Sequence, residues 1–342
     1  RSTQLLKDLG AIEREQGTLT EDGRKMVAFP AHPRFSRMLV EAGKRGCLEV
    51  AALCVALCQE RDLFVNGNRD FISEFTGNGD ASDFMPLLRA WLFARRSGFN
   101  ASRCEPYGIK ASVARDVGNV MKSLLGAARQ GAEPRQIVEN EIVPEQLAKV
   151  VLSGFSDNVA KRLSVGTLSC DVAGGRRAKI RKGSLSRGSD VVVAAEMTEI
   201  EGKEVNVILC KVTGVEIGWL SELFPHDVKE FSRCRYDMAT RRVVNERGKR
   251  FRDLVLYTKQ SGEPPQDQAA EVLADEVVSG RLILKGWDGK CRSWVARVSC
   301  LREHFPELKF PQFDDESFRL IVAEACHGAL NFKQIKDRPL WP

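Results

Sequence analysis

Apolar positions recur at three-and-four spacing through most of the first 160 residues and then change to alternation. Phe35, Met38, Leu39 and Ala42 fall on one face of a helix, with Gly43 and Gly46 as its stop. Just before it, Pro30 biases Phe29 away from helical angles and so ends the preceding helix, while Pro33 has the fixed φ suited to a first helical position. The result is a rigid corner between two helices. Residues 48–57 are apolar on nearly all sides, which predicts the centre of a bundle. Asp83 is placed to cap a helix over residues 84–95 whose stripe is Phe84, Leu87, Leu88, Trp91 and Leu92. Residues 111–129 repeat the pattern, and Pro144 opens another helix that Gly154 closes. The polar stretch 66–79, rich in Gly and Asn, predicts a mobile loop. Residues 33–163 thus read as helices almost throughout.

The first thirty residues predict a helix end at Leu5, Leu6 and Leu9 closed by Gly10, two short strands about a turn at Glu15-Gln16-Gly17, and a helix capped by Thr20. Helix, hairpin, helix is the pattern of the last part of a winged-helix module. At Ser164 the period changes. Thr167 to Val172 alternates, Gly174-Gly175 makes a turn, and "RRAKI", "DVVVAAEMTEI" and "KEVNVILCKV" follow as Val- and Ile-rich strands. A short helix at 217–220 and strands at 230–236 and 253–257 complete a region suited to a small OB-like barrel. After Gly262-Glu263-Pro264-Pro265, residues 269–284, 289–305 and 315–330 read as helices, with Trp294, Val298 and Leu301 as core positions. The predicted architecture is a multidomain α+β chain. It comprises a winged-helix remnant (1–30), a ratchet-like helical bundle (31–163), an OB-like β-barrel (164–260) and an α-rich C-terminal extension (261–342).

The 342 residues exceed one compact core, and 43% hydrophobic with 29% charged residues is ordinary globular composition. No apolar run reaches the length of a membrane span, and no secretory leader is evident. The opening Arg1-Ser2-Thr3 and the closing Leu340-Trp341-Pro342 suggest the interior of a larger protein. The net charge is +6, and residues 151–260 hold 20 Lys/Arg against 14 Asp/Glu, so this middle third carries the whole excess. Basic character localised in this way marks an anion-binding face.

Ten cysteines are scattered without a CxxC pair, which predicts reduced thiols and a cytoplasmic setting. Cys47, Cys54 and Cys58 lie at helical spacing, but the four histidines are distant, so they read as small buried hydrophobes and no metal site is expected. Cys326-His327 are helix neighbours that point apart, and no catalytic residue is expected from them.

The blocks "LLKDLGAI", "LTEDGRKMVAFPAHPRFSRMLVEAG" and "GCLEVAALCVAL" resemble the C-terminal half of DEAH-box helicases. Leu9-Gly10, Thr20 with Gly23, Pro30, Pro33-Arg34 and Met38-Leu39 stand at the family's characteristic positions. The continuations "CQERD", "SDNVAKRL" and "GGRRAKI" resemble the bacterial HrpB branch, while the tail "LILKGWDGKCRSWVARVSCL" departs from that branch's tighter Leu-Pro-Trp-then-Arg arrangement, to which Trp287 and Arg297 are the candidate counterparts. The resemblance implies a region that lies against single-stranded RNA or DNA beside RecA-like domains of the same parent chain, and ATP with Mg as that parent's cofactors. Neither a G-x-x-x-x-G-K-[ST] loop nor an Asp-Glu-Ala-His run occurs here, so no cofactor is expected in this stretch and it should not hydrolyse ATP unaided.

The strongest candidate contacts are Arg176, Arg177, Lys179, Arg181 and Lys182, beside glycines that permit close backbone approach. Strand alternation puts Arg177, Lys179 and Arg181 on one face, against Arg176, Ala178, Ile180 and Lys182 on the other. Arg233 and Arg235, with Arg241 and Arg242, form a second basic set, and Arg34 and Arg37 suit neighbouring acids as well as RNA. Few exposed aromatics can be identified in the basic region, so the sequence assigns base stacking to no particular residue. Three function classes stay open: the auxiliary part of an ATP-dependent helicase, a freestanding nucleic-acid-binding module, and a partner-docking scaffold.

Overall fold

The computed structural model describes residues 2–65, 69–129, 135–200, 206–287 and 289–338. The chain divides into two compact units, one of Arg1–Val228 with Phe251–Leu256, the other of Lys229–Arg250 with Tyr257–Pro342.

The first unit begins with the helix Ser2–Asp8, turned by Gly10 at φ 66°. Ile12 and Leu19 bridge, and Thr20 accepts from the Gly23 N–H to start the helix Glu21–Val27. A Cβ on Gly23 would stand 2.0 Å from the Ala11 oxygen, so only glycine lets this helix rest on the bridge. The corner then forms as its prolines predict. His32 and Pro33 open the helix Pro33–Arg45, which ends at Gly46 in the left-handed region. Gly43 lies inside that helix and does not stop it.

The helix Leu48–Gln59 has Ala51 through Leu57 at 5% exposure or less, the centre of the bundle. Around it stand Phe84–Arg96, Ala111–Arg129 and Pro144–Gly154. The Trp91 indole donates to the Ala114 carbonyl at 2.8 Å, joining two of them through a buried polar contact. Of the expected loop 66–79, residues 66–68 lie outside the described residues, and Arg69–Ser73 is a short helix.

Strand structure starts earlier than the sequence predicts. β1 (Val159–Arg162) directly follows the bundle, inside a stretch read as helical. It is joined by β2 (Ser169–Val172), β3 (Arg176–Ile180), β4 (Val191–Ile200) and β5 (Asn206–Val215). The five close into a barrel in the order β1-β2-β3-β5-β4, with β3 and β5 parallel and the other pairs antiparallel. Residues 203–205, expected at the start of β5, lie outside the described residues. Ala160, Cys170, Val172, Ala178, Ile180, Val192, Ala194, Leu209 and Val212 fill the interior. Arg162 is only 4% exposed, and its guanidinium donates to the carbonyls of Thr167, Ser186 and Ser189.

Asp83 does not cap the helix that follows it. Its carboxylate instead accepts from Ser184 Oγ and from the N–H groups of Leu185 and Val212, which ties the bundle to the barrel.

The later strands β6 (Val228–Asp237), β7 (Arg242–Phe251) and β8 (Leu254–Gln260) are not part of the barrel; they form a separate three-stranded sheet, order β6-β7-β8. β7 was not expected as a strand. In the second unit Tyr236 and Val243 pack with Ala270, Leu273, Val322 and Cys326 from the helices Gln266–Val278 and Asp315–Cys326. Of the expected core positions on Gly289–His304, Val298 is buried and Leu301 is 41% exposed. No described helix is long and apolar enough to cross a membrane.

Candidate nucleic-acid interface

Ala178 and Ile180 alternate with Arg177 and Lys179 along β3, so burial of one side forces the other into solvent. Ala178 and Ile180 enter the barrel interior, while Arg176, Arg177 and Lys179 are exposed. Arg181 and Lys182 continue the exposed run beyond the strand end. Arg177 and Lys179 stand opposite Asp171 and Ser169 of β2.

The turn that presents this strip is glycine-dependent. Gly174 and Gly175 have φ 90° and 73°, a region costly for residues with a Cβ. The Gly174 N–H donates to both carboxylate oxygens of Asp253, at 2.9 and 3.0 Å, which pins the turn from 79 residues away. The sequence offers no local signal for that tether.

Arg177 sits 3.3 Å from Asp171, but their side chains are 80% and 49% exposed, so the pair is weak and readily exchanged for a phosphate. Arg181 anchors its own backbone, its N–H donating to Leu209 O at 2.9 Å. Burial raises the neighbouring Cys210 thiol, and the Arg181 charge works against that rise.

The second basic set has a different environment. Glu246 is buried, and Arg235 reaches it at 2.5 Å while Arg233 lies 3.4 Å away. The hydrogen bond to Glu246 raises Arg235 above the usual guanidinium value, in spite of partial desolvation. Arg233 and Arg235 therefore first neutralise a buried carboxylate. They belong to the second compact unit, and the β3 strip belongs to the first. Arg241, at φ 53°, and Arg242 are exposed at the β6–β7 turn.

Arg34 and Arg37 are taken by acids. Arg34 makes a two-pronged contact with Asp157 at 2.5 and 2.6 Å, and Arg37 bonds Glu41 at 3.1 Å. Cys54 is pushed well above the usual thiol value by burial, and burial takes Cys58 to about 11, so neither is a ready thiolate.

Residues 2–31 match the winged-helix part, and residues 32–87 the ratchet-like part, of the helicase associated domain (HA2). The ATP-dependent RNA helicase DHX33 of Drosophila melanogaster is 26% identical over 226 residues, covering 64% of this chain and 32% of that protein. The probable ATP-dependent RNA helicase DHR1 of Saccharomyces cerevisiae is 39% identical over 66 residues, 19% of this chain and 5% of its own. A crystal structure of the Escherichia coli DExH-box NTPase HrpB aligns with 99% of this chain and 36% of its own, at 18% identity and a TM-score of 0.46. The chain spans about a third or less of the length of these relatives. With the winged-helix and ratchet-like parts of the helicase associated domain consecutive over residues 2–87, the chain is similar to the C-terminal half of DEAH-box helicases.

Proposed function

We propose that this chain is the auxiliary C-terminal region of an HrpB-like, ATP-dependent RNA helicase, and that it clamps single-stranded nucleic acid against RecA-like motor domains of the same parent chain. The observation that carries the reading is the β3 strip, where Arg177 and Lys179 are held exposed by a strand whose Ala178 and Ile180 enter the barrel core, and Arg181 continues the exposed run just past the strand end. Such cations contact phosphates without reading sequence, as a translocating strand requires.

Several features support the finer parts of this reading. The closed order β1-β2-β3-β5-β4, with β3 parallel to β5, suits an OB-like barrel, a fold whose second and third strands commonly face an oligonucleotide. The blocks "CQERD", "SDNVAKRL" and "GGRRAKI" support the HrpB-like branch. The rigid corner at Pro30 and Pro33 would transmit motor movement from wing to bundle instead of absorbing it. ATP and Mg would be supplied to the motor domains of the parent. Ten free cysteines suit a cytoplasmic parent protein. Domain limits follow as a winged-helix end over 1–30, a bundle from 31, a barrel ending before β6, and a C-terminal extension that includes the β6-β7-β8 sheet.

The reading is tested by fluorescence anisotropy of a labelled single-stranded RNA titrated with the chain as potassium chloride is raised. Binding that falls steeply with salt is expected; no binding at low salt would leave a docking scaffold as the better account.

A further inference from the structure

The β6-β7-β8 sheet has one face on the helices of its unit, through Cys234, Tyr236 and Val243. Its other features are of a different kind. Phe231 on β6 and Tyr257 on β8 are both half-buried, and together they wall a depression of about 610 Å³. Gly248 of the central strand, itself buried, forms part of its lining. A Cβ there would stand 2.2 Å from the Tyr257 carbonyl oxygen and 3.0 Å from the Phe231 ring, so no side chain can fill the space between the aromatics.

Each ring also carries a cation. The Arg233 guanidinium lies 5.6 Å from the centre of the Phe231 ring, and the Lys259 ammonium 6.0 Å from that of Tyr257. Arg247, exposed, lines the same depression. Across residues 229–250 and 257–260 there are nine Lys or Arg against three Asp or Glu, an excess as large as that of the whole chain.

We propose that this depression is a base-stacking site for single-stranded RNA, in which bases lie on Phe231 and Tyr257 and the phosphates between them meet Arg233, Arg247 and Lys259. The proposal deepens the clamping reading and rests on it for the class of ligand. Aromatic faces accept any base, and a row of cations beside them tracks the backbone; that pairing is how strands are held without sequence preference. The charge excess favours a polyanion over an apolar or proline-rich peptide, which would gain nothing from nine cations. Arg233 then has two tasks, balancing Glu246 and fixing a phosphate beside the ring. The sequence conceals the site because its two rings lie 26 positions apart and meet only through the glycine strand between them.

The test compares two labelled twelve-nucleotide probes on the intact chain, oligouridylate and an abasic ribose-phosphate strand of the same charge. Wild type should bind the base-bearing probe roughly tenfold or more tightly, the low end of base–aromatic stacking. Phe231→Leu, which keeps an apolar cover over Gly248, and Tyr257→Leu should each erode that preference while leaving abasic affinity and the circular dichroism spectrum unchanged. The same preference should survive in Arg177→Ala/Lys179→Ala, whose loss falls on phosphate contact in the other unit. Equal affinity of wild type for both probes, or a preference untouched by either leucine variant, overturns the stacking site alone. Failure to bind either probe overturns the clamping reading with it.

Discussion

The Asp83 carboxylate accepts the Val212 N–H at 2.8 Å, and the Asp83 N–H donates to the Val212 carbonyl at 2.9 Å, so a bundle residue and a barrel residue grip each other through both main chain and side chain. Beside them Ser82 Oγ and Thr213 Oγ1 stand 2.8 Å apart, and the Gly214 N–H reaches Ala81 O at 2.7 Å. Three consecutive residues before a helix thus act as a short extra edge on β5. This link couples the two parts of the first unit more tightly than apolar contact alone would.

Asp83→Ala should therefore be costly. It leaves the N–H groups of Leu185 and Val212 without an acceptor, at about 1–3 kcal/mol for each buried donor. Urea denaturation should show a lower midpoint, and Asp83→Asn, which retains one carbonyl oxygen, should lose less.

Two acids should give opposite pH trends. Burial raises the Asp83 carboxyl above its usual value, outweighing the N–H and hydroxyl donors that favour its charge. The folded state then holds that proton more tightly than the unfolded chain, so its contribution is complete below the ordinary aspartate range and is lost as pH rises through the raised value. For Asp157, burial again acts upward, but the Arg34 hydrogen bond and charge prevail and the carboxyl is lowered. Its contribution is present above the ordinary aspartate range and is lost as pH falls through the lowered value. Thermal melts from pH 3 to 7 should show the penalty of Asp157→Asn shrinking toward acid. For Asp83→Asn the penalty should be greatest at the acid end of the same range.

Glycine substitutions should separate close packing from open surface. A Cβ on Gly154 would meet the Arg34 oxygen and Met38 Cγ at 2.6 Å, forcing the helix Pro144–Gly154 away from Pro33–Arg45. Gly154→Ala should cost about 1–3 kcal/mol, as overpacking does. Gly126→Ala, with nothing within 4 Å inside the helix Ala111–Arg129, should stabilise by roughly 0.4–1 kcal/mol. Calorimetric midpoints moving in opposite directions check both.

Local chemistry was the legible part of this sequence. Thr20, Pro33 and the Ala111–Arg129 stripe each act within a few residues, and each forms the predicted element. β3 was legible because Ala178 and Ile180 alternate with Arg177 and Lys179 after a Gly-Gly turn. β1 was hidden by its four-residue length and by the absence of a turn between it and the bundle. β7 was hidden by its charges: "NERGKR" carries Glu246, whose burial is made possible by arginines on β6. Asp83 shows the limit most clearly, since an acid before a helix signals a cap locally, while its actual partners lie more than a hundred residues downstream. The basic strip of the candidate interface could be read from sequence; the Asp253 tether and the paired rings of Phe231 and Tyr257 could not, because each depends on which strands become neighbours.

The central claim, phosphate contact by the β3 strip, is tested most directly by the salt dependence of single-stranded RNA binding in wild type and in Arg177→Ala/Lys179→Ala/Arg181→Ala. Each phosphate contact contributes about 0.7 to the slope of log affinity against log salt for single strands, so the triple variant should be shallower by roughly 2. Identical slopes, with the variant folded by circular dichroism, would contradict the account.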